Sequence, residues 1–337
     1  MCAPQMEDIR KDVFQKLNYP QRVLESGYPP PINPLKSEVG QINWDEFSDG
    51  SPNNSFENPE AIKGSDVFFI ADFENTDKVF NHLGPIYALP HYGAKSLTVF
   101  IPYFPTATME RVGEPGQIAT AKTLMRMLNA IPPCHGSGPA RIIIYDIHSL
   151  AVQHFHGDGI IVELQSALPM FLKEIKNWIP EDKTVFAFPD EGAKKRFHTF
   201  FPNPCVVCIK DEYRQIIIKE NLNLIPGNHV VIIDDMIRKG DTLDNCRLAI
   251  EEQGASAVSA YVTHGVFPED SWTRFFDRLK LYRSDFSNLW VTDSCAMSRQ
   301  LQTICQNLKL KFKGAELELA PKILSLSSLI AEEITKA

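Results

Sequence analysis

One stretch in the C-terminal half constrains the fold of this chain more than any other. Residues 230–233 are apolar and β-branched without alternation, which is typical of a parallel strand covered on both faces. Asp234 and Asp235 follow, and a loop containing Gly240 and Thr242 then leads into a helix with an apolar side. A helix start offers unpaired N–H groups to a phosphate, and carboxylates accept hydrogen bonds from hydroxyls. The stretch therefore suits a phosphorylated sugar, although the two acids are also consistent with a helix N-cap and a solvated neighbour.

Strand and helix patterns alternate along most of the chain, in two successive series. Such alternation predicts an α/β fold with two domains, each a mostly parallel sheet flanked by helices. The length of 337 residues suits about two domains. We predict an irregular Pro-rich extension over residues 1–40, an N-terminal domain over 41–165, a C-terminal domain over 166–322 and a C-terminal helix over 323–337.

The composition argues against several classes of protein. The formal net charge of −8 gives no indication of nucleic-acid binding. No apolar run approaches the roughly 18 residues that a membrane span requires, and residues 1–16 resemble neither a secretory signal nor a transit peptide. Seven scattered cysteines do not suggest a disulfide framework. We therefore expect a cytoplasmic protein that binds neither nucleic acid nor a membrane.

Two further polar residues follow predicted strands. His148 comes after the apolar run 142–144, and Asp190 comes after the run 184–188. Ligands of open parallel sheets bind at the carboxyl ends of the strands. A His and an Asp from two such ends could hold a divalent cation whose other ligands are waters and phosphates. For His148 alone, a purely structural role remains an alternative.

A basic run follows Asp190 on a predicted helix. Its members are Lys194, Lys195 and Arg196. The run is equally consistent with a solvated helix face and with phosphate binding, and the sequence does not decide between them.

Two polar segments are predicted to connect regular elements. Residues 44–54 are rich in turn-forming residues, which predicts a loop that carries aromatic and several polar side chains, among them Phe47 and Asp49. Residues 210–214 separate two predicted strands.

Several motifs carry a family resemblance when they are taken together. Residues 231–235 with Gly240 and Thr242 are similar to the ribose-phosphate-binding motif of type I phosphoribosyltransferase folds. Four more motifs accompany it, at residues 101–105, 146–148, 189–196 and 263–267. In this order, the set resembles the ribose-phosphate diphosphokinases, also called phosphoribosyl pyrophosphate (PRPP) synthetases. Residues 47–53, 106–111 and 293–295 look closest to the plant-type class II branch.

The resemblance implies a reaction and a set of partners. Enzymes of this family use Mg²⁺ to transfer the β,γ-diphosphoryl group of ATP to the C1 hydroxyl of ribose 5-phosphate. The products, PRPP and AMP, serve nucleotide biosynthesis. The resemblance further implies two phosphoribosyltransferase-like domains with the site between them, and a homo-oligomer.

The same resemblance implies roles for the residues of the opening stretch. Asp234 and Asp235 would hold the ribose hydroxyls. The following loop and helix start would bind the 5-phosphate through Arg238, Lys239, Gly240, Asp241 and Thr242.

On the nucleotide side, the resemblance implies that Phe47 faces the adenine and Asp49 the nucleotide, while Arg111 reaches its phosphates. His148 would meet a Mg²⁺ that bridges the ATP phosphates, and Asp190 would lie near a second ion at the ribose.

Two basic residues are the predicted catalytic groups. The family places such residues, in a Lys-x-Arg pattern, on a mobile segment, which here follows Ile209. Lys210 matches the lysine of that pattern, and Arg214 lies two positions later than its arginine. Their role would be to neutralise charge on the transferring group, because phosphoryl transfer depends mostly on positioning and electrostatics.

The chain also departs from the family pattern. Residues 238–242 read Arg-Lys-Gly-Asp-Thr where the family has Asp-Thr-Gly-Gly-Thr or a close relative, which brings the carboxylate of Asp241 to the phosphate loop. The segment after Lys210 is also shorter than usual. An alternative function is therefore a non-catalytic relative that binds and regulates an active synthetase.

Overall fold

The computed structural model describes residues 1–18, 40–213, 215–275, 286–311 and 321–336. The chain divides into two compact units. The first comprises Met1–Gln165 with Ser325–Ala337, and the second comprises Ser166–Leu324.

The first unit contains a parallel sheet and a separate hairpin. Its strands are β1 (Ile42–Glu46), β2 (Pro52–Phe56), β3 (Asp66–Ile70), β4 (Ser96–Ile101), β5 (Ala140–Tyr145) and β6 (Ile160–Gln165). Strands β3 to β6 form a parallel sheet in sequence order, and β1 pairs with β2 in an antiparallel hairpin.

The second unit is built on a larger sheet. Its strands are β7 (Thr184–Phe188), β8 (Val206–Lys210), β9 (Ile216–Glu220), β10 (His229–Ile237), β11 (Ala257–Gly265), β12 (Leu289–Thr292) and β13 (Lys322–Leu324). They lie in the order β13-β12-β11-β10-β7-β8-β9, and all neighbours are parallel except β8 and β9. Strand β10 is therefore central.

The position of β10 explains its unbroken apolar run. Val230 and Ile232 belong to one buried cluster, while Val231 and Ile233 belong to another. Successive strand residues point to opposite faces of a sheet, so a strand covered on both faces needs an apolar side chain at every position.

Helices flank these sheets in the order of the chain. They are α1 (Glu7–Asn18), α2 (Thr76–His91), α3 (Thr120–Asn129), α4 (Leu168–Glu174), α5 (Glu191–Phe197), α6 (Asp241–Glu252), α7 (Ala296–Lys311) and α8 (Ser327–Lys336). The predicted α/β class, with mostly parallel sheets flanked by helices, is confirmed.

The structure corrects the prediction that residues 1–40 are irregular. Helix α1 lies within them and packs against α8 of the same unit. Its buried side chains Ile9 and Val13, four residues apart, follow the buried Met6 and form one apolar face. Residues 19–39, which contain most of the prolines of this segment, lie outside the described residues.

Four strands of the described residues were not predicted as strands. Residues 44–54, predicted to be a loop, contain parts of β1 and β2 and the turn between them, and β6 was not predicted. The predicted C-terminal helix over 323–337 begins only at Ser327, because residues 322–324 are strand β13.

Candidate functional site

The acid pair of the second unit lies where β10 extends beyond one of its neighbours. Strand β10 pairs with β7 only as far as Ile232 opposite Ala187, whereas its pairing with β11 continues past Asp234 to Ile237. Asp234 and Asp235 therefore extend past the end of β7, on the side from which α5 packs against β10.

Arg196 of α5 occupies the space beside these acids. Its Nη2 atom donates to Oδ1 of Asp235 and lies 3.5 Å from Oδ1 of Asp234. The side chains of Arg196, Asp234 and Asp235 are 10%, 17% and 1% exposed. Of the basic run whose role the sequence left undecided, Arg196 thus pairs with the acids, Lys194 pairs with Glu220, and Lys195 is exposed on the helix surface.

The two acids differ in their surroundings. The backbone N–H of Asp235 donates to Oδ1 of Asp234 at 2.9 Å. Burial raises the pKa of Asp234 well above its ordinary value, the adjacent Asp235 carboxylate adds to the rise, and Arg196 opposes it. The surroundings of Asp234 thus disfavour its charged form, and Arg196 acts against that effect.

Asp190 joins the same cluster from the end of β7. Its Oδ1 atom caps α5 by accepting from the N–H of Ala193 at 2.8 Å. A side chain on Gly192 would come 3.0 Å from that oxygen and 3.5 Å from Nη1 of Arg196. Asp190, predicted as a metal ligand, thus also has a capping role.

The predicted phosphate loop has the backbone that such a site needs. Gly240 is buried, has φ of +80° and caps α6, while Asp241 is the first helical residue. A Cβ atom on Gly240 would clash with the ring of Phe275. The left-handed conformation thus falls on the glycine and not on Asp241, whose side chain is exposed together with those of Arg238 and Lys239.

The predicted catalytic lysine lies at this loop. Nζ of Lys210 donates to Oγ1 of Thr242 at 3.2 Å, which brings a cation to the first turn of α6. Lys210 is the last residue of β8 and pairs with Ile216 of β9. Lys210 thus ends a strand, whereas the sequence placed it in the segment after that strand; that this segment is mobile stays a prediction. Arg214 lies outside the described residues.

The predicted nucleotide residues of the first unit are far more exposed. Phe47 and Asp49 lie on the turn between β1 and β2, and the Phe47 side chain is 55% exposed. Asp49 accepts hydrogen bonds from the side chain and backbone of Ser51, which lower its pKa. The Arg111 side chain is 86% exposed and lies 3.6 Å from Glu110.

The hairpin that carries Phe47 rests on α2. The ring of Trp44 meets His82 edge-on at 5.1 Å, and Nδ2 of Asn54 donates to Oδ1 of Asn81 at 2.7 Å. His82 is buried, and burial lowers its pKa to about 4. The hairpin base is thus fixed while its tip remains accessible.

His148 follows β5 in the first unit and is half-buried. Asp146, two residues earlier, is buried with φ of +38°, an unusual conformation for a residue other than glycine. Within the described ranges, no three His, Cys, Asp or Glu side chains come together in a way that would hold a metal ion.

Comparisons with known proteins show the family to which the chain belongs. A family model described as the N-terminal domain of ribose phosphate pyrophosphokinase matches residues 12–131. Ribose-phosphate pyrophosphokinase 4 of Oryza sativa subsp. japonica is 41% identical over 259 residues, which cover 75% of this chain and 79% of the relative. The chain belongs to the ribose-phosphate pyrophosphokinase family. The enzyme interpretation is thereby confirmed.

Two further matches describe the extent of this family relationship. The chloroplastic ribose-phosphate pyrophosphokinase 3 of Arabidopsis thaliana is 40% identical over 266 residues, 77% of this chain and 64% of the relative. The crystal structure of a phosphoribosylpyrophosphate synthetase from Mycobacterium smegmatis matches with a TM-score of 0.72 over 99% of this chain and 96% of that one. At 20% sequence identity, this last match supports the pyrophosphokinase fold alone.

The matched relatives are named as pyrophosphokinases, and nothing among them favours a regulatory subunit.

In the part of the chain that the structure describes, no helix has both the length and the apolar character needed to cross a bilayer.

Proposed function

We propose that this chain transfers the β,γ-diphosphoryl group of ATP to the C1 hydroxyl of ribose 5-phosphate, giving PRPP and AMP. The observation that carries the proposal is in the second unit. There, one segment supplies the partly exposed Asp234 carboxylate and then the Gly240 turn, where Lys210 meets Thr242. A hydroxyl acceptor and a cationic helix start on one segment suit the two ends of ribose 5-phosphate.

The ribose 5-phosphate residues divide into two groups in this proposal. Asp234 accepts hydrogen bonds from the ribose hydroxyls, and Asp235 supports it from a buried position. The backbone of Gly240, Asp241 and Thr242 receives the 5-phosphate. Arg238 and Lys239 add exposed positive charge beside the exposed Asp241 carboxylate.

ATP binds to the first unit in this proposal. The exposed ring of Phe47 stacks on the adenine, Asp49 contacts the nucleotide, and Arg111 reaches the phosphates. The fixed base and exposed tip of the hairpin support these roles, because a ligand can reach the tip without displacing buried groups.

His148 of the first unit would hold one Mg²⁺ at the ATP phosphates, and Asp190 of the second unit would lie near a second ion at the ribose. Mg²⁺ usually keeps several waters and takes only one or two protein ligands beside substrate phosphates, so a cluster of three ligands is not required. When bound, it neutralises charge on the ATP phosphates. Lys210 and Arg214 add positive charge near the transferring group, and Lys210 also steadies Thr242 through its hydrogen bond.

We further propose a cytoplasmic homo-oligomer. A chloroplastic protein is among the relatives, so imaging of the tagged full chain should decide the location. Size-exclusion chromatography with light scattering should give a mass above that of the 38.1 kDa protomer.

The function is tested by assaying the purified chain with ATP, ribose 5-phosphate and Mg²⁺. We expect equal amounts of AMP and PRPP. Absence of both products would overturn the proposal. As a finer test, Asp234→Asn should raise the KM for ribose 5-phosphate, while Lys195→Gln, an exposed change on α5, should not alter it.

A further inference from the structure

The contact between Arg196 and the acid pair assigns a role to a residue outside the proposed ligand set. Arg196 lies 38 and 39 residues from the two acids along the chain, yet one of its nitrogen atoms, Nη2, contacts Oδ1 of both. Two residues separate β7 from α5, and the pairing of β7 with β10 ends two residues before Asp234. The guanidinium therefore contacts the two acids beyond the end of this pairing.

Burial separates this ion pair from an ordinary surface pair. Exposed pairs contribute about 0–1 kcal/mol, because water screens them and both side chains lose freedom. Here the Asp235 side chain is almost fully buried and Arg196 is largely so. A buried carboxylate that loses its cation retains the full penalty of desolvation, and it then takes up a proton or draws in water.

Two adjacent buried carboxylates present a further problem that Arg196 addresses. Like charges at this separation oppose each other, so one member of the pair tends to be protonated. Asp190, which caps α5, adds a third carboxyl group to the surroundings of Asp234. A protonated Asp234 would be a poorer acceptor for sugar hydroxyls, because hydrogen bonds to an ionised acceptor are about twice as strong as neutral ones.

The geometry gives the two acids different tasks. Asp235 faces Arg196 and has almost no exposed surface, whereas Asp234 keeps exposed surface and accepts from the N–H of Asp235. Only the more exposed acid of this pair can meet a sugar without rearrangement. Asp235 thus holds Arg196 in place, and Arg196 in turn holds Asp234 in place.

We propose that Arg196 is a positioning residue for the sugar phosphate: it is anchored by Asp235 and holds Asp234 oriented toward the vicinal hydroxyls of ribose 5-phosphate. This role rests on the proposed function, since it names the group that prepares the acceptor of that same site. Arg196 itself does not touch the substrate in this scheme.

The test compares Arg196→Gln and Arg196→Lys with the matched control Lys195→Gln, one residue away on the same helix and exposed. Arg196→Gln should raise the KM for ribose 5-phosphate by about tenfold or more, which corresponds to ~1.4 kcal/mol of binding. The KM for ATP should stay within about twofold, because the change removes no group proposed to bind ATP. Arg196→Lys keeps the charge but loses the planar fork, so it should recover part of the affinity. The control should match the wild type.

A merely structural role predicts another pattern. Loss of folded protein lowers kcat in proportion and leaves both KM values unchanged, and the lysine variant would then give no selective recovery. An unchanged KM for ribose 5-phosphate in Arg196→Gln, or an equal rise in both KM values, would overturn the positioning role while the proposed function stands.

Equilibrium binding of ribose 5-phosphate by calorimetry separates the two proposals. If the wild type binds the sugar phosphate but forms no PRPP or AMP, the proposed function fails, and weaker binding by Arg196→Gln than by Lys195→Gln still supports the positioning role. If the wild type neither binds nor turns over ribose 5-phosphate, both proposals fall.

Discussion

The two candidate half-sites of this chain are built in opposite ways. In the second unit, Asp235 and Arg196 are buried and paired, and Gly240 packs against Phe275. In the first unit, Phe47 lies on an exposed turn, and Arg111 extends into solvent. The sugar-phosphate groups are thus held by their neighbours before a ligand arrives, whereas the nucleotide groups are accessible but weakly held.

This difference has a measurable consequence. Substitutions in the second unit should reduce both stability and ligand binding, because the same contacts serve both. Substitutions at the hairpin tip should affect binding alone. Paired variants, one from each unit, can therefore break or sharpen the comparison.

The largest effect is expected for Asp235→Ala. It leaves the guanidinium of Arg196 buried without its main partner, and breaking a buried pair costs about 3–5 kcal/mol of unfolding free energy. The matched change in the first unit, Arg111→Ala, should leave the urea midpoint unaltered, because this side chain is exposed. Urea unfolding of both variants checks the prediction. Equal urea midpoints for the two variants would contradict the view that the acid pair of the second unit is held in place by its buried partners.

Gly240→Ala should come next, and Gly50→Ala is its control. The two glycines have φ of +80° and +82°, so alanine suffers similar backbone strain of about 1–2 kcal/mol at both. Only at Gly240 does the new Cβ clash, against Phe275, whereas the space around Gly50 is open. Overpacking adds about 1–3 kcal/mol, so Gly240→Ala should be the more destabilising by that margin. A similar loss of unfolding free energy at both positions would mean that the Phe275 ring moves aside at little cost.

Acid should weaken the two units differently. Burial lowers the pKa of His82 to about 4 from 6.5, so between these values the unfolded chain binds a proton that the folded chain does not. Stability must then fall as the pH drops, by about 2 kcal/mol between pH 7 and pH 4.5. The pKa of Asp234 is raised instead, so its contribution has the opposite sign and improves as the pH drops.

The His82→Phe variant isolates the first of these effects. Its ring can still meet Trp44, but it carries no titratable group. Urea unfolding at the two pH values should give a smaller loss for the variant than for the wild type. An equal loss of stability in the variant and the wild type would mean that groups other than His82 cause the sensitivity to acid.

Sequence reasoning succeeded where a local pattern had one physical explanation. The unbroken run at residues 230–233 predicted a strand covered on both faces, and the structure places it at the centre of the larger sheet. The alternation of strands and helices likewise predicted the α/β class. These features depend on side chains that are neighbours along the chain.

It failed where a pattern was weak or the decisive partner was distant. Strands β1 and β2 are polar and half-buried, with turn-forming residues between them, so they resemble a loop. Arg196 reads as part of a basic helix face until the fold brings Asp235 to it. Lys210 reads as a loop residue until the ladder with Ile216 is formed. The signal for Arg196 was its place on a short helix directly after a strand end.

The smallest effect on stability, and a clear one on binding, is expected for Phe47→Ala. The ring is exposed, so its loss should leave the urea midpoint unchanged. If it stacks on the adenine, its removal costs about 1–3 kcal/mol of binding, a rise in the KM for ATP of roughly 5- to 150-fold. Phe80→Ala is the comparison, since this phenylalanine is also exposed in the first unit but belongs to α2, from which it lines a pocket together with Ser51 and Pro52. A rise in the KM for ATP for Phe80→Ala and none for Phe47→Ala would place the adenine site off the hairpin tip. The exposed tip would then be a surface that binds no nucleotide.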